Sequence, residues 1–237
     1  MTRSILGVLL LVVLGYVIVC VAVYFYQRSL IYFPQPRHLS AAQSTMRLPV
    51  DGAEIVVTVR PHAGPKAIVY FGGNAEDVSY SLGAFSAWFP DHALYLMHYR
   101  GYGGSGGSPS ESGLVADAIA LYDHLRPRHP AISVIGRSLG SGVAVQLASV
   151  RDVRRLVLVT PFDSLVNVAR AHFPYFPVGL LLRDRYDSAS RVSAVNADTL
   201  IVIAGSDEIV PRASTEALAT EFPPTQVRVF VVEGARH

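Results

Sequence analysis

A single cysteine, Cys20, occurs in 237 residues. No intramolecular disulfide can form, and no cysteine-based metal site is possible. Charge is scarce too: Asp, Glu, Lys and Arg make up 16% of the chain, and the formal net charge is only +2. The basic residues form no block, which argues against a nucleic-acid surface. No internal repeat is present. What the chain has in excess is apolar surface. Hydrophobic residues reach 51%, high for a water-soluble domain, and the excess sits at the N-terminus. The length suits one domain of ordinary size plus an appendage.

Residues 5–26 are 22 positions without a charge, flanked by Arg3 and Arg28. A helix of that length spans a hydrocarbon core and exceeds the apolar stretch of a typical signal peptide. No small-x-small cleavage site is evident around Cys20-Val21-Ala22-Val23, and Val19 is too bulky for a lipoprotein signal. Tyr24, Phe25 and Tyr26 fall where an interfacial aromatic belt would lie. Residues 1–26 therefore read as a single-pass transmembrane anchor. Arg28, Arg37 and Arg47 outnumber Arg3, so the positive-inside rule leans toward a cytoplasmic C-terminal domain. Residues 27–50 read as a connector, since Phe33-Pro34-Gln35-Pro36 cannot be helix interior.

From residue 51 to 237, short apolar runs alternate with helical stretches. Strands are expected at 54–59, 66–71, 93–98, 132–135, 156–160, 199–204 and 227–232. Most are continuously apolar, as parallel strands covered on both faces are. Helices are expected at 79–88, 112–126, 139–149, 165–172 and 213–221. In 112–126, Leu114, Val115, Ala118, Leu121, Tyr122 and Leu125 recur at helical spacing. Strand–helix alternation of this kind gives an α/β fold with a mostly parallel sheet flanked by helices. Ligands of such sheets bind beyond the carboxyl ends of the strands.

One of those ends carries Gly136-Arg137-Ser138-Leu139-Gly140, a G-x-S-x-G run between a strand and a helix. That is the setting of a nucleophile elbow. A serine hydroxyl is a weak nucleophile and needs a base beside it, and the base needs an orienting acid. Of eight histidines, His237 follows the last strand through Glu233-Gly234-Ala235-Arg236. His172 lies in an expected surface helix, and His98 ends a strand near the rim. Two acids follow carboxyl ends, Asp207 and Asp163. The order Ser138, Asp207, His237 favours Asp207, while Asp163 also suits a helix N-cap. Backbone donors for an oxyanion are expected at Leu139, directly after the serine, and in the turn Gly72-Gly73-Asn74, with Asn74 preferred. The run from Gly101 to Gly106 contains G-x-G-x-x-G, but it continues as loop and no lysine follows, which argues against a nucleotide site.

Together these pieces resemble the α/β-hydrolase superfamily, and most closely its membrane-anchored Bem46-type branch. The likeness runs through Gln27-Arg28-Ser29-Leu30-Ile31-Tyr32-Phe33-Pro34, Gly73-Asn74-Ala75, Tyr99-Arg100-Gly101-Tyr102-Gly103 and the elbow. It continues through Thr160-Pro161-Phe162-Asp163-Ser164, Gly205-Ser206-Asp207-Glu208-Ile209-Val210-Pro211 and Gly234-Ala235-Arg236-His237. The resemblance implies Ser138 as nucleophile, His237 as base, Asp207 as acid, and oxyanion donors at Asn74 and Leu139. It implies no cofactor and no metal. Gly72 departs from the pattern, standing where many relatives have histidine. Relatives usually continue past this histidine with a short helix, so the resemblance also implies either further sequence beyond His237 or a less firmly held base.

The stretch His172-Phe173-Pro174-Tyr175-Phe176-Pro177-Val178-Gly179-Leu180-Leu181-Leu182 is apolar and broken by proline. It reads either as a helix packed on the sheet or as an apolar rim near the bilayer. The expected activity is cleavage of a carboxylic ester or thioester of an apolar acyl substrate, a lipid ester or an acylated protein. The alternatives are a serine peptidase and a catalytically silent membrane-anchored binding protein of the same fold.

Overall fold

The structure is a computed structural model that describes residues 2–38 and 45–237, with the side chains of Thr2 and Arg3 and the connector positions 39–44 outside the described set. The first element is helix α1, Thr2–Ile31. It runs past Tyr26, because nothing from Gln27 to Ile31 breaks a helix. The connector begins at Tyr32, where Phe33-Pro34-Gln35-Pro36 stops it.

Eight strands follow: β1 Thr45–Val50, β2 Ala53–Arg60, β3 Lys66–Phe71, β4 Ala93–Met97, β5 Ala131–Arg137, β6 Arg155–Val159, β7 Asp198–Ala204 and β8 Val227–Val232. They form one sheet in the order β1-β2-β4-β3-β5-β6-β7-β8. β1 and β2 are antiparallel to their neighbours, and β3 through β8 are mutually parallel. The remaining helices are α2 Ser81–Trp88, α3 Glu111–Leu125, α4 Leu139–Ala148, α5 Leu165–His172, α6 Val178–Leu181 and α7 Arg212–Glu221. Short 3-10 turns occupy Val78–Tyr80 and Ala189–Ala194.

The strands are continuously apolar because both faces are covered. Along β3, Ala67, Val69 and Phe71 join the larger core shared with α3 and α4. Their alternates Ile68 and Tyr70 join a smaller core with Phe85 of α2. This is the two-residue period of a strand shared between two helical layers. Ser110 and Ser164 cap α3 and α5, accepting from Gly113 N–H and Asn167 N–H. The crossovers leave the turns after β3, β5, β7 and β8 along one edge of the sheet, and the candidate site lies there.

Candidate active site

Ser138 joins β5 to α4 with φ 51° and ψ −119°. L-residues rarely hold such a conformation, and the flanking glycines make it possible. A Cβ on Gly136 would lie 2.4 Å from Gly140 O and 2.7 Å from Ala144 Cβ. One on Gly140 would lie 2.1 Å from Phe71 O. Strand and helix therefore meet closer than any side chain allows. The Ser138 amide donates to Val159 O at 2.9 Å, and Ser141 returns its own N–H to Ser138 O at 2.9 Å. The elbow is held from both sides.

His237 Nε2 lies 2.7 Å from Ser138 Oγ, and its Nδ1 lies 2.9 and 3.0 Å from the two Asp207 carboxylate oxygens. An ionised carboxylate only accepts, so Nδ1 carries the proton and Nε2 offers its lone pair to the serine hydroxyl. Asp207 is itself fixed, its Oδ1 accepting the amides of Ile209 and Val210 at 2.9 and 2.8 Å. A cleft of about 170 Å³ beside the histidine is lined by Arg137, Val159, Thr160, Ala204, Arg236 and His237, among others.

The other sequence candidates are engaged in other contacts. Asp163 is buried and turned away, accepting from Ser214 Oγ and Asn167 Nδ2, and the α5 cap is Ser164. His98 does not reach the rim. It is buried with Nε2 on Thr58 Oγ1 at 2.9 Å, and burial lowers its pKa to about 4. His172 meets Ile209 O at 2.7 Å.

The turn after β3 faces the elbow, since a Cβ on Gly73 would lie 3.7 Å from Ser138 Cβ. Leu139 opens α4, so its amide belongs to the positive end of that helix. The Asn74 side chain ties the turn to the connector. Its Oδ1 accepts Phe33 N–H at 3.1 Å and Tyr102 Oη–H at 2.9 Å, and its Nδ2 donates to Ile31 O. Sequence reading misses Glu76. Its carboxylate accepts Gly73 N–H at 2.8 Å, Tyr70 Oη–H at 2.8 Å and Arg137 Nη1 at 3.3 Å, so it sets the shape of the turn. An acidic side chain three residues past a glycine pair is the available signal. Tyr99 Oη donates to Gly72 O at 2.7 Å. Burial raises the pKa of Tyr70 and Tyr99, which keeps both phenols neutral donors. Among the described residues, no group of three or more His, Cys, Asp or Glu could hold a metal ion.

No family model matches the chain. Over 230 residues it is 39% identical to Uncharacterized protein Rv2307c of Mycobacterium tuberculosis, covering 89% of this chain and 80% of that protein. Over 241 residues it is 26% identical to Protein bem46 of Schizosaccharomyces pombe, covering 90% and 76%. Among solved structures, the Pyrococcus furiosus esterase Pf2001 superposes with a TM-score of 0.70 at 16% identity, covering 86% of this chain and 91% of that one. Est1E from Butyrivibrio proteoclasticus, solved with ferulic acid bound, gives 0.66 at 15% identity, covering 81% and 90%.

Proposed function

The chain belongs to the Bem46-like α/β-hydrolases, and from this membership we propose that it is a membrane-anchored serine hydrolase cleaving carboxylic ester or thioester bonds of apolar acyl substrates. The observation that carries the reading is the unbroken hydrogen-bond chain Asp207–His237–Ser138, with its last link at 2.7 Å on a strained elbow.

His237 takes the proton of Ser138 Oγ as the oxygen attacks the acyl carbonyl. Charge develops on the carbonyl oxygen and is met by the amides of Leu139 and Asn74. Asp207 stabilises the imidazolium and holds its orientation. His237 then hands its proton to the departing alcohol or thiol, leaving an acyl-serine. Water, activated by the same histidine, releases the acid. The reaction draws on no cofactor, nucleotide or metal.

The anchor supports the substrate class. Among the described residues one helix, over Ser4–Ile31 of α1, is long and apolar enough to cross a membrane. The side chains of Phe173, Tyr175 and Leu180 are exposed, an apolar surface suited to an acyl chain of a lipid ester or an acylated protein. The positive-inside balance favours the cytoplasmic face for the domain.

The test is labelling of the full chain with a fluorophosphonate probe. Wild type labels and Ser138→Ala does not. A folded wild-type chain that stays unlabelled sinks the reading and favours a silent binding protein. Labelling together with amide but no ester or thioester turnover favours the peptidase.

A further inference from the structure

Helix α1 does not merely tether the domain; it packs along it. Tyr16 Oη donates to Tyr175 O at 2.8 Å, and the Tyr16 ring stacks on Phe176 with centroids 6.0 Å apart. Eleven residues further, Gln27 Nε2 donates to Leu181 O at 2.9 Å, and Gln27 Oε1 accepts Arg183 N–H at 2.7 Å. Tyr16, Cys20, Tyr24, Gln27 and Ile31 recur every three or four positions and so form one stripe. That stripe faces α6 and the segments around it over about four helical turns.

The position of the first contact has a geometric consequence. Only residues 5–15 of the apolar run precede it. Eleven residues rise about 16 Å, roughly half of a hydrocarbon core of about 30 Å. If α1 crosses the bilayer, it must carry its partners on the domain into the hydrocarbon.

We propose that residues 173–182 form a second membrane element, immersed in one leaflet alongside α1. The proposal rests on α1 spanning the bilayer, and it commits to lipid as the occupant of this face. Four observations support it. No charge lies between 173 and 182, while Arg170 and His172 precede the segment and Arg183 and Arg185 follow it, with Asp184 between them paired to Arg28, a basic flank that suits anionic headgroups. Phe173, Tyr175 and Leu180 are 58%, 88% and 83% exposed, an apolar surface with no reason to face water.

The backbone is also prepared for a solvent that offers no hydrogen bonds. Two of the ten residues are proline. Of the eight remaining N–H groups, those of Phe173, Phe176, Val178, Leu180, Leu181 and Leu182 are bonded within the chain. The carbonyls of Tyr175 and Leu181 are satisfied by α1 itself, and Gly179 O accepts from Arg185 Nη2 at 2.5 Å. Lastly, a cleft of about 460 Å³ runs between α1 and α6, lined by Tyr16, Val17, Cys20, Tyr24, Pro177 and Leu181, among others. Its lining is wholly apolar and takes a lipid acyl chain.

The test uses the full chain carrying Cys20→Ala, reconstituted in phosphatidylcholine–phosphatidylglycerol vesicles. An environment-sensitive fluorophore is attached at one introduced cysteine: Val13→Cys, Tyr175→Cys, Leu180→Cys or Arg228→Cys. Tyr175 and Leu180 are so exposed that their replacement removes no core packing. Quenching by a mid-chain nitroxide lipid is expected at 13, 175 and 180 and absent at 228, which lies at the amino end of β8. Quenching at 13 without quenching at 175 and 180 overturns the immersion and leaves the anchor standing. No quenching at 13 removes the anchor, and the immersion with it.

Discussion

Ser138 holds a backbone conformation that costs on the order of 1–3 kcal/mol, and its neighbours are chosen to bear it. Gly140→Ala would drive a methyl into Phe71 O and Gly72 O, both backbone atoms that cannot rotate away. We expect that substitution to lower stability by about 3 kcal/mol or more, read as a shift of the urea midpoint, and to abolish fluorophosphonate labelling. Asp207→Asn acts differently. Asparagine still accepts the Ile209 and Val210 amides, so the urea midpoint should stay near wild type. The imidazole loses the partner that fixes its tautomer, and kcat should fall about 10⁴-fold; a fall under about tenfold would remove Asp207 from the mechanism. Ser138, Asp207 and His237, which the structure brings together, can be picked out in the sequence because each follows an apolar run and Ser138 sits in a pentapeptide with steric meaning. The choice between Asp207 and Asp163 is less legible, since both follow strands; it depends on which way each carboxylate turns. Glu76 has only a weak signal in the sequence, its place three residues past a glycine pair, because its bond to the Gly73 amide exists only once the turn has formed.

At the level of elements, seven strands can be read from continuous apolar runs, whereas β1 cannot. Thr45-Met46-Arg47-Leu48-Pro49-Val50 carries a proline and an arginine, and only Leu48 is buried; an edge strand has one neighbour and tolerates both. Two predictions concern how the end of β4 is secured. Burial holds His98 at about 4 against an ordinary 6.5. Between those values the unfolded chain binds a proton that the folded chain does not. The contribution is therefore whole above 6.5 and lost as pH falls to 4, by up to about 3 kcal/mol. Urea unfolding at pH 7 and 4.5 should show this loss, and His98→Gln should flatten it. Just beyond, Arg100 meets Asp117 of α3 through two bonds of 2.7 Å, with the carboxylate fully buried. Burial raises the Asp117 pKa even with this partner in place. Arg100→Met should cost about 3–5 kcal/mol at pH 7. The loss should shrink toward acid pH, where a protonated Asp117 no longer needs a cation; a loss independent of pH would mean that packing, not charge, holds this corner.

For the whole molecule, the question is what seats α1 against the catalytic domain. In the sequence Arg28 is only a charge flanking an apolar run. In the structure it reaches Asp184 through Nε at 2.9 Å and Nη2 at 3.1 Å, and Tyr32 Oη reaches the same carboxylate at 3.1 Å while touching Tyr186 Oη at 2.9 Å. A few residues on, Asn74 grips Ile31 and Phe33 with its side chain, while its amide lies in the turn facing Ser138. Polar contacts thus join α1 both to Asp184 and to the Gly73-Asn74 turn, with Asp184 buried among them. The Asp184 side chain is 5% exposed and that of Arg28 is 41% exposed, so water screens one partner and not the other. Arg28→Ala leaves a buried carboxylate with the Tyr32 hydroxyl as its remaining side-chain donor. The expected cost is about 2 kcal/mol, below that of a fully buried pair because of the screening. Asp184→Asn in the same chain removes the stranded charge and should restore most of the loss, read by urea unfolding in detergent micelles and by slower proteolysis of the connector. A double variant no more stable than Arg28→Ala would mean that the charge is not what seats the helix, and the burden would shift to the Gln27 and Asn74 contacts.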